Sequence, residues 1–250
     1  MLLVSDLHYD LRKMDWVVSR ASDPGAGFDA LVIAGDLLDI GSAVPLDAQI
    51  TVVLSYLERL AGRLPTLVCS GNHDLDSRRP SGEKASSWLQ EAAAFGVIVD
   101  GASSDVAGWR LTACAWWEGP DTLAELERRI AAASVERPEH WLWAYHGPPE
   151  GLLSWTGSRH FGDPELPRLI DTYAPDVVLC GHIHQAPFTT EGDWVQQQGD
   201  TWLFNGGYQR GPEPTFIEID LDGLTASWHS GGGDETVDLR VPRTGTTVGA

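Results

Sequence analysis

The feature that most constrains this chain is a repeated unit: a short apolar run that ends in Asp, Asn or His. Met1–Ser5 leads into Asp6-Leu7-His8, and Ala30–Ala34 into Gly35-Asp36. Thr66–Ser70 leads into Gly71-Asn72-His73-Asp74, Trp141–Tyr145 into His146-Gly147, and Asp176–Cys180 into Gly181-His182-Ile183-His184. Short apolar runs closed by Gly or Asp read as buried strands. Between them lie amphipathic stretches. In Asp47–Gly62, the residues Ile50, Val53, Leu54, Leu57 and Leu60 fall on one helical face. Lys13–Ala21, Ser87–Phe95 stopped by Gly96, Asp121–Ala133 capped by Asp121 or Thr122, and Pro164–Tyr173 also read as helices. Leu75–Ser87 and Gly147–Gly162 read as loops. Trp109–Trp116 reads as strand, and further short strands are expected near Phe188, Trp202–Phe204, Thr215–Ile219 and Thr225–Trp228. Strand-helix alternation followed by strand-rich sequence predicts an α/β (α+β) fold, with two sheets and helices on their outer faces. A chain of 250 residues suits one core. The expected division is a single domain over 1–230 and a loose, Gly/Thr-rich tail over 231–250.

The strand ends carry the chemistry. In open α/β sheets, ligands bind at the carboxyl ends of strands. Residues two apart in an extended segment point to one side, so Asp6 and His8 are expected to reach one point, and His182 and His184 likewise. Of the eight histidines, five (His8, His73, His146, His182, His184) sit in these segments. Imidazole with carboxylate and amide oxygen suits Mn, Fe, Zn or Co. There are too many histidines for a Ca or Mg cage, and no thiolate for a structural zinc. The candidate ligands Asp6, His8, Asp36, Asn72, His146, His182 and His184 are too many for one tetrahedral ion. They fit two ions sharing a carboxylate.

Charge then selects the partner. The chain carries a net −19, with no basic stripe, which argues against duplex nucleic acid and acidic membranes. Two divalent ions with two Asp ligands and a hydroxide leave a local charge of about +1. A small phosphorylated substrate is therefore attracted locally to an acidic molecule. No apolar run approaches the roughly 18 residues of a membrane span, and the N-terminus has no basic n-region. Cys69, Cys114 and Cys180 are odd in number, lack metal-type spacing and fit a reducing compartment, so the expected location is the cytoplasm.

Each block alone is weak: Asp-x-His recurs by coincidence, and Gly-Asp after a strand is ordinary turn chemistry. Together and in this order, the five resemble the calcineurin-like metallophosphoesterase superfamily, whose pattern is D-x-H, GD, GNH with D or E, a lone H, and GH-x-H. The blocks span residues 6–184. The resemblance implies a four-layer α-β-β-α sandwich of two mixed sheets around a dinuclear centre of Mn, Fe or Zn. It implies that Asp6, His8 and His184 hold one ion, that Asn72, His146 and His182 hold the other, and that Asp36 bridges them. His73 would be the non-ligand histidine that contacts the scissile phosphate and protonates the leaving oxygen, with Asp74 orienting it. Asp39 would buttress a ligand or stand as a loop carboxylate. The nucleophile would be a hydroxide shared by the two ions, attacking in line without a covalent intermediate.

Departures from the pattern narrow the class. Asp39 is followed by Ile40-Gly41 rather than Arg-Gly, and the third block is GNHD rather than GNHE, which lowers the protein-phosphatase reading. No segment has room for the capping region of the repair nucleases. What remains resembles the compact bacterial phosphodiesterase-like members, hydrolysing a diester or monoester of a small or nucleotide-like molecule. Two loops are expected to shape the pocket, one with Arg78, Arg79 and Lys84, the other with Trp155, Arg159 and His160. Arg would bind a second phosphate and Trp155 would stack on a base, against the plainer reading of solvated loop residues. Asn205-Gly206-Gly207 is expected to return near the site. The competing classes are a non-catalytic metal-binding scaffold of the same fold and a thiol role for Cys69 and Cys180, which packing explains as well.

Overall fold

A computed structural model describes residues 1–136 and 138–243. The first half contains strands β1 (Leu2–Val4), β2 (Leu31–Ala34), β3 (Thr66–Cys69), β4 (Ser77–Arg78), β5 (Lys84–Ala85), β6 (Ser103–Val106) and β7 (Trp109–Ala113). The second contains β8 (Trp141–Ala144), β9 (Val177–Cys180), β10 (Val195–Gln198), β11 (Thr201–Asn205), β12 (Phe216–Asp220), β13 (Thr225–Ser230) and β14 (Gly233–Asp238). The α-helices are α1 (Leu11–Ala21), α2 (Leu46–Ala61), α3 (Pro120–Ser134) and α4 (Leu166–Tyr173), and Trp88–Phe95 is a 3-10 helix.

Two six-stranded mixed sheets result, in the orders β14-β13-β12-β1-β2-β3 and β10-β11-β9-β8-β7-β6. The pleat decides which residue faces which layer. Val32 and Ala34 of β2, and Leu142 and Ala144 of β8, point between the sheets with Leu3, Leu67, Leu179, Phe204 and Ile217. The alternate residues face outward. Leu31 and Ile33 meet α1 and α2 through Met14, Val17, Val53 and Leu57. Trp141 and Trp143 meet α3 and α4 through Leu126, Ile130, Leu169 and Ile170. Strands buried on both faces need continuous apolar runs, which is why β2 reads Leu-Val-Ile-Ala. The layers are α-β-β-α, as expected.

Four local expectations are corrected. Gly233–Asp238 is not a loose tail; it pairs antiparallel with β13 along its length, and residues 244–250 lie outside the described residues. The 75–87 segment is not all loop, because Ser77–Arg78 pairs with Lys84–Ala85. Near Phe188 the chain makes a 3-10 turn, Ala186–Phe188, where Pro187 cannot donate to a strand ladder. Helix α3 starts at Pro120 with Gly119 as N-cap. Its first-turn amides at Asp121 and Thr122 donate to the Glu83 carboxylate, at 3.0 and 2.7 Å, from the distant β4–β5 hairpin.

Candidate metal centre

The five strand-end blocks meet at one edge of the sandwich. β1, β2 and β3 run parallel, as do β8 and β9, so their carboxyl ends lie side by side. At these ends the chain turns through the left-handed region. Asp6 has φ 53°, His8 44°, Asp36 54° and His182 70°. Such values are costly for residues with a Cβ and cluster at functional sites. This corrects the reasoning from extended spacing. Asp6 and His8 do approach one point, but by way of left-handed turns. His182 and His184 do not share a point; each joins a different cluster.

The first cluster is Asp6, His8 and His184. His184 Nε2 is 3.2 Å from Asp6 Oδ1 and 3.1 Å from His8 Nε2. The second is Asp36, His146 and His182. His146 Nε2 is 3.2 Å from Asp36 Oδ2, and that same oxygen is 3.9 Å from His8 Nε2. Asp36 therefore faces both clusters. Its other oxygen accepts the His73 backbone N–H at 2.8 Å.

Glycine makes the approach possible. Gly35, at φ +85°, lies under the His146 ring, and a Cβ there would collide with it. A Cβ on Gly71 would collide with Asp36, and one on Gly181 with Asp6 and Ser5.

Whether these residues fit metal can be tested on the polar atoms they leave unpaired. His146 is fully buried, and its Nδ1–H donates to the Ala34 carbonyl at 2.7 Å. Nε2 is the atom that faces the cluster, 3.2 Å from Asp36 Oδ2, and it offers a lone pair once the ring is neutral. It is buried and makes no hydrogen bond. Asn72 Oδ1 is likewise buried without a partner. Unpaired buried polar atoms cost about 1–3 kcal/mol each, and a cation would satisfy both. Metal–ligand bonds of about 2.1 Å also place neighbouring donors roughly 3.0–3.5 Å apart. The donor set fits.

The charges agree. Burial alone would raise Asp6, but the His184 hydrogen bond and the charges of His146, His184 and His8 hold it below the usual carboxylate range. Asp36 is lowered against its burial in the same way, chiefly by His146. Burial is the largest single influence on His146 and pulls it down, but the charges of Asp36 and Asp6 with the polar contacts to Asp36 and Ala34 O together push it up to about 9. Burial pulls His182 down to about 4, so it is a neutral donor at pH 7. The pocket favours positive charge at its centre, which a metal supplies once the His146 proton leaves.

His73 stands outside both donor sets of carboxylate and imidazole around Asp6 and Asp36, its ring 4.6 Å from that of His8. The expectation that Asp74 orients it is corrected. Asp74 is fully buried, and its carboxylate accepts four backbone N–H groups, from Asp36, Leu37, Leu38 and Gly71. It ties the Gly35–Leu38 turn to the Gly71 turn. Burial and the charge of Asp36 push it up to about 7. The carboxylate near His73 is Asp39, which groups with His8 and His73.

The expected substrate residues scatter. Arg159 is exposed, its guanidinium 5.5 Å from the Phe161 ring, and Phe161 packs 5.9 Å from the His182 ring. Trp155 and His160 instead pack against each other, ring centroids 4.9 Å apart and planes tilted by 57°, and His160 Nδ1 donates to Gly151 O. Arg78 donates to Gly82 O within its own hairpin. Arg79 lines a separate cavity. Sequence reading missed the aromatic frame. Tyr208 stacks on His184 at 4.8 Å, and the buried Lys13 ammonium lies 3.5 Å over the Tyr208 ring. Trp116 packs 5.1 Å from His182 and 5.7 Å from His146. The signals were present: Asn205-Gly206-Gly207 does return, placing Tyr208 N on His184 O at 3.2 Å, and Trp116 follows the end of β7.

The fold and this cluster define a dinuclear metallophosphoesterase architecture. The family model for calcineurin-like phosphoesterases matches residues 1–186, and the chain belongs to that family. Among solved structures, the protein TT1561 of Thermus thermophilus is 20% identical with a TM-score of 0.61, covering 96% of this chain and 98% of that one. Purple acid phosphatase PPD1 from yellow lupin is 14% identical with a TM-score of 0.56, covering 100% of this chain and 57% of that one. The 5′-nucleotidase precursor from Thermus thermophilus is 12% identical with a TM-score of 0.53, covering 92% of this chain and 50% of that one. At these identities the likeness is one of fold. No curated protein matches the sequence. No helix among the described residues is long and apolar enough to cross a membrane.

Proposed function

We propose that the chain hydrolyses phosphate esters of small or nucleotide-like molecules, with two bound metal ions and His73 as the acid. The observation that carries this reading is the pair of buried, unpartnered donor atoms, Asn72 Oδ1 and His146 Nε2, the second of them 3.2 Å from Asp36 Oδ2. Asp6, His8 and His184 would hold one ion, Asn72, His146 and His182 the other, and Asp36 both. Mn, Fe and Zn suit this donor set. The ions, when bound, supply Lewis acidity that activates water near neutral pH and draws the phosphoryl oxygens in.

The protein's own groups do the rest. Asp74 fixes the turns that carry Asp36 and Asn72. His73, tethered through its backbone N–H to Asp36, offers its ring to the leaving oxygen as general acid. The Ile40 backbone N–H lies 3.5 Å from His73 Nδ1 and turns the other ring nitrogen outward, with the Asp39 carboxylate close by. Phe161 and Arg159 line the approach on the His182 side. Three buried, unpaired thiols, Cys69, Cys114 and Cys180, support a reducing, cytoplasmic setting.

The test is metal analysis of purified protein together with Mn-dependent hydrolysis of bis-p-nitrophenyl phosphate and p-nitrophenyl phosphate. The expected result is about two ions per chain. Turnover should fall about 10²–10⁴-fold in His73→Asn while the metal stays bound. The preferred ester assigns diesterase or monoesterase. Bound metal without turnover of either ester would favour a metal-binding scaffold.

A further inference from the structure

Two large apolar side chains stand exposed at the two ends of the metal centre. On the His8 side, Ile40 is 65% exposed, and its backbone N–H approaches the His73 ring. On the His182 side, Phe161 is 53% exposed, with its ring 5.9 Å from that of His182. Trp116 packs 5.1 Å from the same imidazole, so two aromatic rings frame it. An exposed aromatic ring forgoes its burial energy, and here the exposure does not come from a loose loop. Phe161 N–H donates to Ser154 O at 2.9 Å. Bridges on either side of it, Trp155 with His160 and Pro149 with Asp163, close the loop. The next residue, Gly162, has no room for a Cβ against the Glu150 backbone. The loop thus holds Phe161 at the rim of the donor set.

Charge favours the same use. Among the described residues, the Asp6 and Asp36 carboxylates pair only with His8, His146 and His184. The cations on either side are drawn to rings instead: the Lys13 ammonium to Tyr208 and the Arg159 guanidinium to Phe161. The Asp39 carboxylate, within 4.8 Å of the His8 and His73 ring nitrogens, offsets the proton that His73 carries as an acid. The metal-loaded centre therefore keeps a local charge of about +1. A phosphodiester is a monoanion and matches it, whereas a phosphomonoester brings a charge of about −1.5 to −2 at pH 7.

We infer that the centre prefers phosphodiesters, and that Phe161 with Trp116 forms the subsite for the ester arm that stays on phosphorus, an aromatic group. The leaving arm lies at His73 and Ile40. Water adds to phosphorus, the P–O bond on the His73 side breaks, and that oxygen takes the His73 proton and departs as an alcohol. The arm on Phe161 remains in a phosphomonoester. The inference rests on the metal centre being a phosphoester hydrolase.

The test uses the Mn-loaded protein and three esters that share p-nitrophenol as leaving group: p-nitrophenyl phosphate, methyl p-nitrophenyl phosphate and bis-p-nitrophenyl phosphate. The expected result is that kcat/KM for the bis ester exceeds that for p-nitrophenyl phosphate at least about tenfold. In Phe161→Ala the bis ester should lose about tenfold through KM, while the monoester and the methyl diester, which lack the second aromatic arm, change less than about twofold. Phe161→Tyr should restore most of the loss. A smaller wild-type preference, or an equal loss on all three esters in Phe161→Ala, overturns the inference. Calorimetric titration with diphenyl phosphate and dimethyl phosphate, two monoanions that differ in their arms, separates this inference from the reading beneath it. Phe161-dependent binding of diphenyl phosphate without turnover of any ester would overturn the hydrolase reading and keep the subsite. Equal binding of the two phosphates would overturn the subsite.

Discussion

His146 and His184 face the same centre from opposite ends, in different physical states. His146 is fully buried, and its free Nε2 has no hydrogen-bond partner. The His184 side chain is 31% exposed, and its Nε2 already has Asp6 and His8 as close neighbours. The buried end cannot satisfy itself. Without a cation it keeps two orphaned donors, His146 Nε2 and Asn72 Oδ1, at about 1–3 kcal/mol each. The exposed end is open to water. The contrast teaches that a symmetrical-looking ligand list conceals unequal sites. The ion at the buried end should bind more tightly and exchange more slowly than the ion at the exposed end.

The largest effect is expected where the two ends meet. Asp36 faces both clusters, so Asp36→Asn removes charge from each at once. Metal content should drop from about two ions per chain, and turnover should fall at least about a hundredfold, beyond what outer-shell changes usually cost. Elemental analysis and p-nitrophenyl phosphate hydrolysis read both. A variant that keeps both ions and its rate would remove Asp36 from the bridging position.

Next in size is the difference between the ends. Under dialysis against a chelator, wild type should lose metal in two phases. His184→Asn should abolish the fast phase and spare the slow one, whereas His146→Asn should abolish the slow one. Affinity at the altered end should fall at least about tenfold. Loss of both ions in a single phase would break the comparison.

Much of this was legible in the sequence, for a physical reason. A strand covered on both faces must be apolar throughout, so Ala30–Ala34 and Asp176–Cys180 announce both the strand and the point where it ends. The polar residues after those ends are the site. Partnership across space was not legible. Asp74 follows His73 in the chain, yet its carboxylate is consumed by amides at positions 36–38 and 71, which no local pattern encodes. Trp155 and His160 look like pocket residues on a loop, but a cross-bridge folds them onto each other. Gly233–Asp238 is polar and Gly-led because it is an exposed edge strand with little to bury, and so it resembled a tail.

The smallest expected effect concerns what steadies the exposed end. Lys13 is only 1% exposed, and its ammonium sits on the Tyr208 ring that stacks on His184. Burial lowers its pKa to about 8, against the pull of Asp10 and Asp6. An unfolded lysine titrates near 10.5, so between about pH 8 and 10.5 the unfolded chain binds more protons than the folded one. Stability contributed by this group must therefore rise with pH through that window, and the cost of the buried charge is fully present below pH 8. Lys13→Met removes the cost. Its melting temperature should exceed that of wild type at pH 7 by a few degrees, at roughly 2–4 °C per kcal/mol for a chain of this size. The two melting curves should converge as the pH approaches 10.5. The same substitution removes the cation that holds Tyr208 flat, so metal release from the His184 end should quicken while the slow phase from the His146 end stays as it was. A pH-independent melting difference, or faster loss from both ends alike, would show that Lys13 serves the fold as a whole and not that one end of the centre.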